Sequence, residues 1–389
     1  SRSICVVTGS RADYGLLRWV MEDIEAAEDL TLQIVASGMH LSPRFGQTLD
    51  AIEADGLTVD WEVEMLLASD TPSGVTKSIG MGIIGFADAF ERLKPEIVVI
   101  LGDRFEALAA AVAAIVARIP IAHIHGGEVT EGALDDAFRH AITKMASLHF
   151  VAAEPYRRRV VQLGESEETV FMVGGMGLDS IERLKLLDRP ELEESLGCQL
   201  GTKSLLVTFH PVTLEAESSL AQLGELLAAL KERGDTRLIF TLPNADPGGH
   251  SHAGLIEEFA RSNSNALVVK SLGQQRYLSC LREVDGVVGN SSSGLLEAPS
   301  LGTGTVDIGS RQLGRLRAPS VLSSGPSEGE ISAAIDRLYS PDFREIVKDR
   351  VSPYGSAGAS RKIVALLQGV SLTDIKAKRF VDLPWIAEE

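Results

Sequence analysis

Short runs of β-branched and aliphatic residues alternate along the whole chain with longer amphipathic stretches, and this rhythm limits the possible folds more than any other feature. Ile4–Val7, Leu32–Val35, Ile97–Leu101, Ile121–Ile124 and His149–Val151 read as strands, and Tyr14–Ala27, Arg104–Ala117 and Asp135–Ala146 read as helices between them. The runs are apolar throughout rather than at every second residue. Both faces of each strand are therefore buried, as in a parallel sheet with helices on either side. A second series runs through Val170–Val173, Leu205–Thr208, the helix Leu220–Lys231, Leu238–Thr241, Leu267–Val269, Gly286–Val288 and Thr305–Ile308. At 389 residues the chain is too long for one compact core. The pattern predicts an α/β protein of two Rossmann-like domains facing across a cleft, residues 1–175 and 176–365, with the turn Gly174–Gly177 as hinge. A helical segment from Ser360 onward is expected to return to the first domain, placing 366–389 on it.

Charge narrows the partners. Lys and Arg number 37 against 54 Asp and Glu, a net charge of -17, and no basic run offsets that field. Nucleic acid is excluded as a partner, and an anionic small ligand would need local cations. The three cysteines, Cys5, Cys198 and Cys280, are far apart and form no CxxC pair, so a reduced, cytoplasmic protein is expected. The apolar helix Ala107–Ala117 is too short to cross a bilayer, no export signal is visible, and no membrane association is expected.

Polar residues of unusual chemistry stand where the strands end. Leu101-Gly102-Asp103-Arg104-Phe105-Glu106 follows one apolar run, and His123-Ile124-His125-Gly126-Gly127-Glu128 closes the next. Leu134-Asp135-Asp136-Ala137-Phe138-Arg139-His140 then opens a helix. Strand ends at the carboxyl edge of an open parallel sheet are where ligand crevices form. Packing alone does not ask for acids, arginine and histidine there, since almost any polar residue would serve. After the first strand, Thr8-Gly9-Ser10-Arg11-Ala12-Asp13-Tyr14 fits an anion at a helix N-terminus with Arg11 as the full charge. It fits equally an ordinary loop capped by Ser10, with Asp13 complementing the helix dipole.

In the second half, Gly289-Asn290-Ser291-Ser292-Ser293-Gly294-Leu295-Leu296-Glu297 presents consecutive hydroxyls after a buried strand. One serine would suffice for a cap, so the excess points to a diphosphate, with Glu297 placed to accept ribose hydroxyls. His210 in Phe209-His210-Pro211, Asn244 and Arg311 also follow strands and are candidate ligand contacts. Other signals are weak. Gly197–Ser204 resembles a P-loop but precedes a strand and has no glycine before Lys203, and Gly175-Met176-Gly177 and Gly302-Thr303-Gly304 lack the third glycine of a dinucleotide fingerprint. The pairs His123/His125 and His250/His252 have no third ligand at a zinc spacing, so no metal is expected.

Taken together and in order, Gly9–Tyr14, Gly102-Asp103-Arg104, His123–Glu128, Asp135–Lys144, Phe209-His210-Pro211 and Gly289–Gly294 closely resemble the hydrolysing UDP-N-acetylglucosamine 2-epimerases of sialic acid biosynthesis. The resemblance spans essentially the whole chain. It implies a two-domain GT-B-like fold, the substrate UDP-N-acetylglucosamine, the products UDP and N-acetylmannosamine, no cofactor, and a homodimer or homotetramer. The non-hydrolysing branch reads more like GTRPE and HVEAGLR at the first and middle motifs, and this chain departs from both. The family's chemistry implies loss of UDP to a glycal, then hydration with reprotonation of C2 on the opposite face. Asp103, Glu128 and Asp135 would supply the acid and base groups. Some relatives carry Glu where this chain has His125, so the proton role falls to Glu128 or is shared with His125. Arg11, His210 and the serine turn would stabilise the leaving diphosphate. Asp13, Arg104, Arg139, Asn244, Asn290, Ser291, Ser292, Glu297 and Arg311 would hold the UDP-sugar. Two alternatives share most of these residues: the same reaction on a UDP-2,4-diacetamido-2,4,6-trideoxy sugar, on the route to legionaminic acid, and a GT-B glycosyltransferase.

Overall fold

The structure is a computed structural model that describes residues 1–42, 48–67, 69, 71–129, 134–211, 216–242, 249–270 and 272–382. Two compact units divide the chain. Unit 1 is Ser1–Asp179 with the segment from Gly355 onward, and unit 2 is Ser180–Tyr354. The sequence placed these divisions after residues 175 and 365, whereas the units part after Asp179 and Tyr354.

Unit 1 is built on β1 (Arg2–Thr8), β2 (Leu30–Ser37), β3 (Trp61–Val63), β4 (Ile97–Leu101), β5 (Ile121–Ile124), β6 (Leu148–Val151) and β7 (Val170–Met172). They form one parallel sheet in the order β3-β2-β1-β4-β5-β6-β7. Burial on both faces explains the unbroken apolar runs. Ile4 and Val6 enter one core with Leu17, Met21 and Phe150, while Cys5 and Val7 enter the opposite core with Phe86 and Ala110. The run at Val170 is β7, paired with β6 in this sheet, rather than the start of a second series. A three-residue apolar strand carries no mark of the sheet it will join.

Unit 2 holds β8 (Ser204–Thr208), β9 (Arg237–Thr241), β10 (Ala266–Val269), β11 (Gly286–Gly289), β12 (Gly304–Ile308) and β13 (Val321–Ser324). They form a second parallel sheet in the order β10-β9-β8-β11-β12-β13. In each sheet the strand order reverses beside the unit's first strand, between β1 and β4 and between β8 and β11. The carboxyl ends flanking such a reversal are where open α/β sheets bind ligands.

The returning segment completes unit 1. Helix Ala359–Gly369 buries Ala359, Ile363, Val364 and Leu367 in the core that contains Tyr14, Leu17 and Met21 of helix Arg11–Glu25. Its first N–H groups are met by Asp179, whose carboxylate accepts from the backbone N–H of Gly358 (2.6 Å), Ala359 (3.0 Å) and Ser360 (2.7 Å). A buried carboxylate there satisfies orphan donors and complements the positive helix end. Among the described residues no helix is long and apolar enough to cross a membrane.

Candidate active site

In unit 1, three loops at the carboxyl edge of the sheet bring the predicted acid and histidine residues together through Arg139. This arginine lies on helix Leu134–Met145 and is 4% exposed. Its Nη2 donates to Asp103 Oδ2 after β4, and its Nη1 donates to the carbonyl of His125 after β5 at 2.9 Å. Expected to hold the ligand, Arg139 is instead spent fixing two catalytic candidates. His125 has φ +63°, a left-handed conformation uncommon outside glycine. Such strain persists where surroundings enforce it, and here the Arg139 contact to its carbonyl does so. His125 Nδ1 lies 3.7 Å from Glu128 Oε1, close enough to exchange a proton with modest movement. Asp135 stands exposed in the first turn of the Arg139 helix. Partial desolvation and the neighbouring Asp103 charge push its carboxyl above the usual range.

Beside this cluster lies the loop after β1. Ser10 caps helix Arg11–Glu25 by accepting from Asp13 N–H at 3.3 Å, so the ordinary capping role is present. The Asp13 carboxyl nevertheless rises to about 6, chiefly through burial, with the Arg104 charge opposing. Arg104 makes a two-pronged contact with Glu106, at 3.2 Å and 3.0 Å, and Glu106 is 1% exposed. That fork takes up much of the guanidinium expected to meet the ligand. Glu106 stands in the motif after β4 but has no site role in the sequence reading, because a carboxylate in the first turn of a helix also serves as dipole complement. Arg11 is exposed at the same loop. His40, a second residue missed, is fully buried between the hydroxyls of Thr8 (2.9 Å) and Thr48 (2.6 Å) and held neutral, with its pKa down to about 4 by burial.

In unit 2, Gly289 ends β11 with φ +146°, and a Cβ there would lie 1.9 Å from the Thr208 carbonyl oxygen. Only glycine lets the strand end approach β8 so closely. The next residue, Asn290, is buried, and both arms of its amide grip the backbone of His210: Oδ1 accepts from its N–H at 2.7 Å and Nδ2 donates to its carbonyl at 2.9 Å. Asn290 therefore orients His210 rather than offering its side chain to a ligand. Burial and the charge of Arg311 bring His210 down to about 4, so at neutral pH it offers an uncharged ring nitrogen instead of the positive charge expected of it. Arg311 is exposed and donates to the Asn290 carbonyl at 3.0 Å.

The serine turn differs from expectation in one respect. The helix it opens is only Ser293–Leu296, and the Ser292 hydroxyl makes no capping bond. A single turn has little macrodipole, so any anion held here would depend on hydroxyls and N–H groups instead. Ser291 and Ser293 hydroxyls lie 3.0 Å apart, and Tyr277 of helix Gly273–Glu283 contacts Ser293, a partner with no local sequence signal. Glu297 sits between two short helices, and its Oε2 is buried with no hydrogen-bond partner. Burial raises its carboxyl to about 7. An unmet buried carboxylate oxygen is a costly arrangement unless a ligand supplies the donor. Asn244 lies outside the described residues. No group of three or more His, Cys, Asp or Glu able to hold a metal ion occurs among the described residues.

Comparison with known proteins shows the family. Residues 22–368 match the model of the UDP-N-acetylglucosamine 2-epimerase family. The chain is 38% identical to the hydrolysing GDP/UDP-N,N'-diacetylbacillosamine 2-epimerase of Campylobacter jejuni subsp. jejuni serotype O:2, over 98% of this chain and 99% of that one. It is 36% identical to the hydrolysing UDP-N,N'-diacetylbacillosamine 2-epimerase of Legionella pneumophila, over 95% and 97% of the two chains. Among solved structures, the UDP-GlcNAc 2-epimerase of Neisseria meningitidis bound to UDP-GlcNAc superposes with a TM-score of 0.82 at 19% identity, covering 94% of this chain and 99% of that one. With a family model matched over most of its length and two hydrolysing relatives matched from end to end, the chain belongs to the UDP-N-acetylglucosamine 2-epimerase family and, within it, to the hydrolysing type.

Proposed function

We propose that this enzyme converts a UDP-linked 2-acetamido sugar and water into UDP and the free 2-epimer. In the first step a base removes the C2 proton, the electron pair forms the C1–C2 double bond of a glycal, and the C1–oxygen bond breaks with departure of UDP. In the second, hydroxide from water adds to C1 and a proton is delivered to C2 on the face opposite the one it left. The sum is substrate plus water to UDP plus sugar, with no oxidation, so two acid–base groups suffice. Asp103, Asp135 and the His125/Glu128 pair take the proton transfers. Arg11, His210 and the Ser291–Ser293 turn receive the diphosphate, and Glu297 receives the ribose hydroxyls.

The observation that carries this reading is the Arg139-centred assembly of Asp103 and His125, with Asp135 on the same helix, in a chain related from end to end to hydrolysing 2-epimerases. For the sugar, the two relatives named for diacetylbacillosamine favour a UDP-2,4-diacetamido-2,4,6-trideoxy substrate over the UDP-N-acetylglucosamine expected from the motifs. The test is incubation with each UDP-sugar separately, with UDP and sugar followed by NMR. UDP and a free 2-epimer should appear without any acceptor, fastest from the diacetamido substrate. Faster turnover of UDP-N-acetylglucosamine would reverse the substrate choice. Sugar transfer only when an acceptor is added would identify a glycosyltransferase instead.

Nucleotide binding should carry the signature of Glu297. The ionised carboxylate accepts hydroxyl donors, so binding favours the charged form and releases a proton from a group that titrates near 7. Affinity for UDP should therefore rise as pH climbs through 7 and level off above it, more steeply in the wild type than in Glu297→Gln. Calorimetry that finds the two pH dependences superimposable removes Glu297 from the ribose site.

A further inference from the structure

We propose that His123 is a positioning residue that fixes the Asp103 carboxylate for proton transfer by holding the peptide immediately before it. His123 lies on β5, fully buried, and makes two hydrogen bonds. Its Nε2 is 2.7 Å from the carbonyl oxygen of Gly102, and its Nδ1 is 3.1 Å from Oγ1 of Thr143. A carbonyl oxygen can only accept, so Nε2 carries the hydrogen and Nδ1 receives the threonine hydroxyl.

Gly102 is gripped from both sides by consecutive residues of β5. Its N–H donates to the Ile124 carbonyl at 2.9 Å, and its own carbonyl takes the His123 N–H. With φ +75°, this glycine turns the chain out of β4 and aims the next residue, Asp103. Thr143 stands one turn beyond Arg139 on helix Leu134–Met145, and Arg139 holds the far end of Asp103. The backbone before Asp103 and the guanidinium on its carboxylate are thus referred to one helix. Gly126 leaves the room this requires, since a Cβ there would lie 3.1 Å from Thr143 Oγ1 and 3.2 Å from His123 Nδ1. Burial also keeps the imidazole neutral, with its pKa down to about 3. A ring held uncharged in one tautomer, away from the reacting atoms, suits orientation and not proton exchange.

This inference rests on the reading that Asp103 takes part in the reaction, and a double-mutant cycle separates the two. His123→Met removes the donor at similar bulk. It should lower kcat at least about 30-fold, within the range that a misplacement of about 1 Å costs. KM and the calorimetric affinity for UDP should change less than about twofold, since uniform binding is untouched. His123→Gln, whose amide nitrogen can reach Gly102, should recover most of the loss. In an Asp103→Asn background the same His123→Met change should cost less than about threefold, because the group it serves is gone. If His123→Met does not fold, Thr143→Val takes its place, with a smaller kcat loss that also vanishes beside Asp103→Asn. Equal losses in both backgrounds, or a Gln variant no better than Met, would overturn the positioning role while leaving the reaction assignment standing. A fully active Asp103→Asn would instead sink the reaction assignment, and this proposal with it.

Discussion

Replacing Asp103 or Asp135 by asparagine should leave UDP binding nearly unchanged and lower turnover by at least about 100-fold, the usual cost of losing a general acid or base. The two acids differ in setting. Asp103 is clamped by Arg139, whose Nη2 donates to its Oδ2. Asp135 is exposed and shifted toward the protonated form by partial desolvation and by Asp103 itself. Environments that push two carboxyls apart are how one site supplies both an acid and a base. The pH profile of kcat should therefore lose, in Asp135→Asn, the limb that this raised carboxyl supplies. Asparagine is nearly isosteric, so stability and UDP calorimetry should report an intact fold. Wild-type rates in both variants would take both acids out of the mechanism.

The second large effect concerns isotope and intermediate. Turnover in D2O should place one deuterium at C2 of the product, because the proton removed on one face exchanges with solvent before another is delivered on the other. Added NAD or a chelator should leave the rate unchanged, since the sequence offers neither a complete dinucleotide fingerprint nor a zinc-spaced ligand set. His125→Ala should go further and release the glycal. Departure of UDP would continue, whereas delivery of a proton by the His125/Glu128 pair, now 3.7 Å apart, would not. Protium at C2 from D2O, or activity abolished by chelator, would contradict elimination and hydration through side chains.

Much of this was legible before any fold was known. The strands Ile97–Leu101 and Ile121–Ile124 match the sequence reading residue for residue, because an apolar run bounded by polar residues of distinctive chemistry has two sharp edges. Helix Pro72–Leu93, the longest in unit 1, left no comparable trace. Gly82 and Gly85 lower its helix propensity, yet both lie against neighbouring side chains: a Cβ on Gly85 would come within 2.6 Å of Val63, and one on Gly82 would push aside the end of Met65. At the site, residues that would touch a ligand were visible as chemistry out of place at strand ends. The residues that hold them were not. Asn290 and Arg139 read as ligand contacts because their types suit that role, and only tertiary structure shows their donors turned inward. His40 and Tyr277 are long-range partners, for which no spacing rule exists, and Glu106 meets Arg104 only two residues away, across a helix start where a carboxylate already has an ordinary role.

Unit 2 is one unbroken stretch of chain, while unit 1 is interrupted and gains the helix Ala359–Gly369 only after Tyr354. This imposes an order on synthesis. The seven strands of the first sheet leave the ribosome early, but the faces of Tyr14, Leu17 and Met21 that pack in one core with Ile363 and Leu367 must wait until the segment after Tyr354 has been made. The half written second can finish folding first. Nascent chains stalled just past Tyr354 and exposed to protease should thus show unit 2 resistant and unit 1 still cleavable; equal resistance would mean that the returning helix is dispensable. A cell making this enzyme carries, for the length of unit 2's translation, an open hydrophobic seam on its first-made half, and the burden of chaperoning falls there.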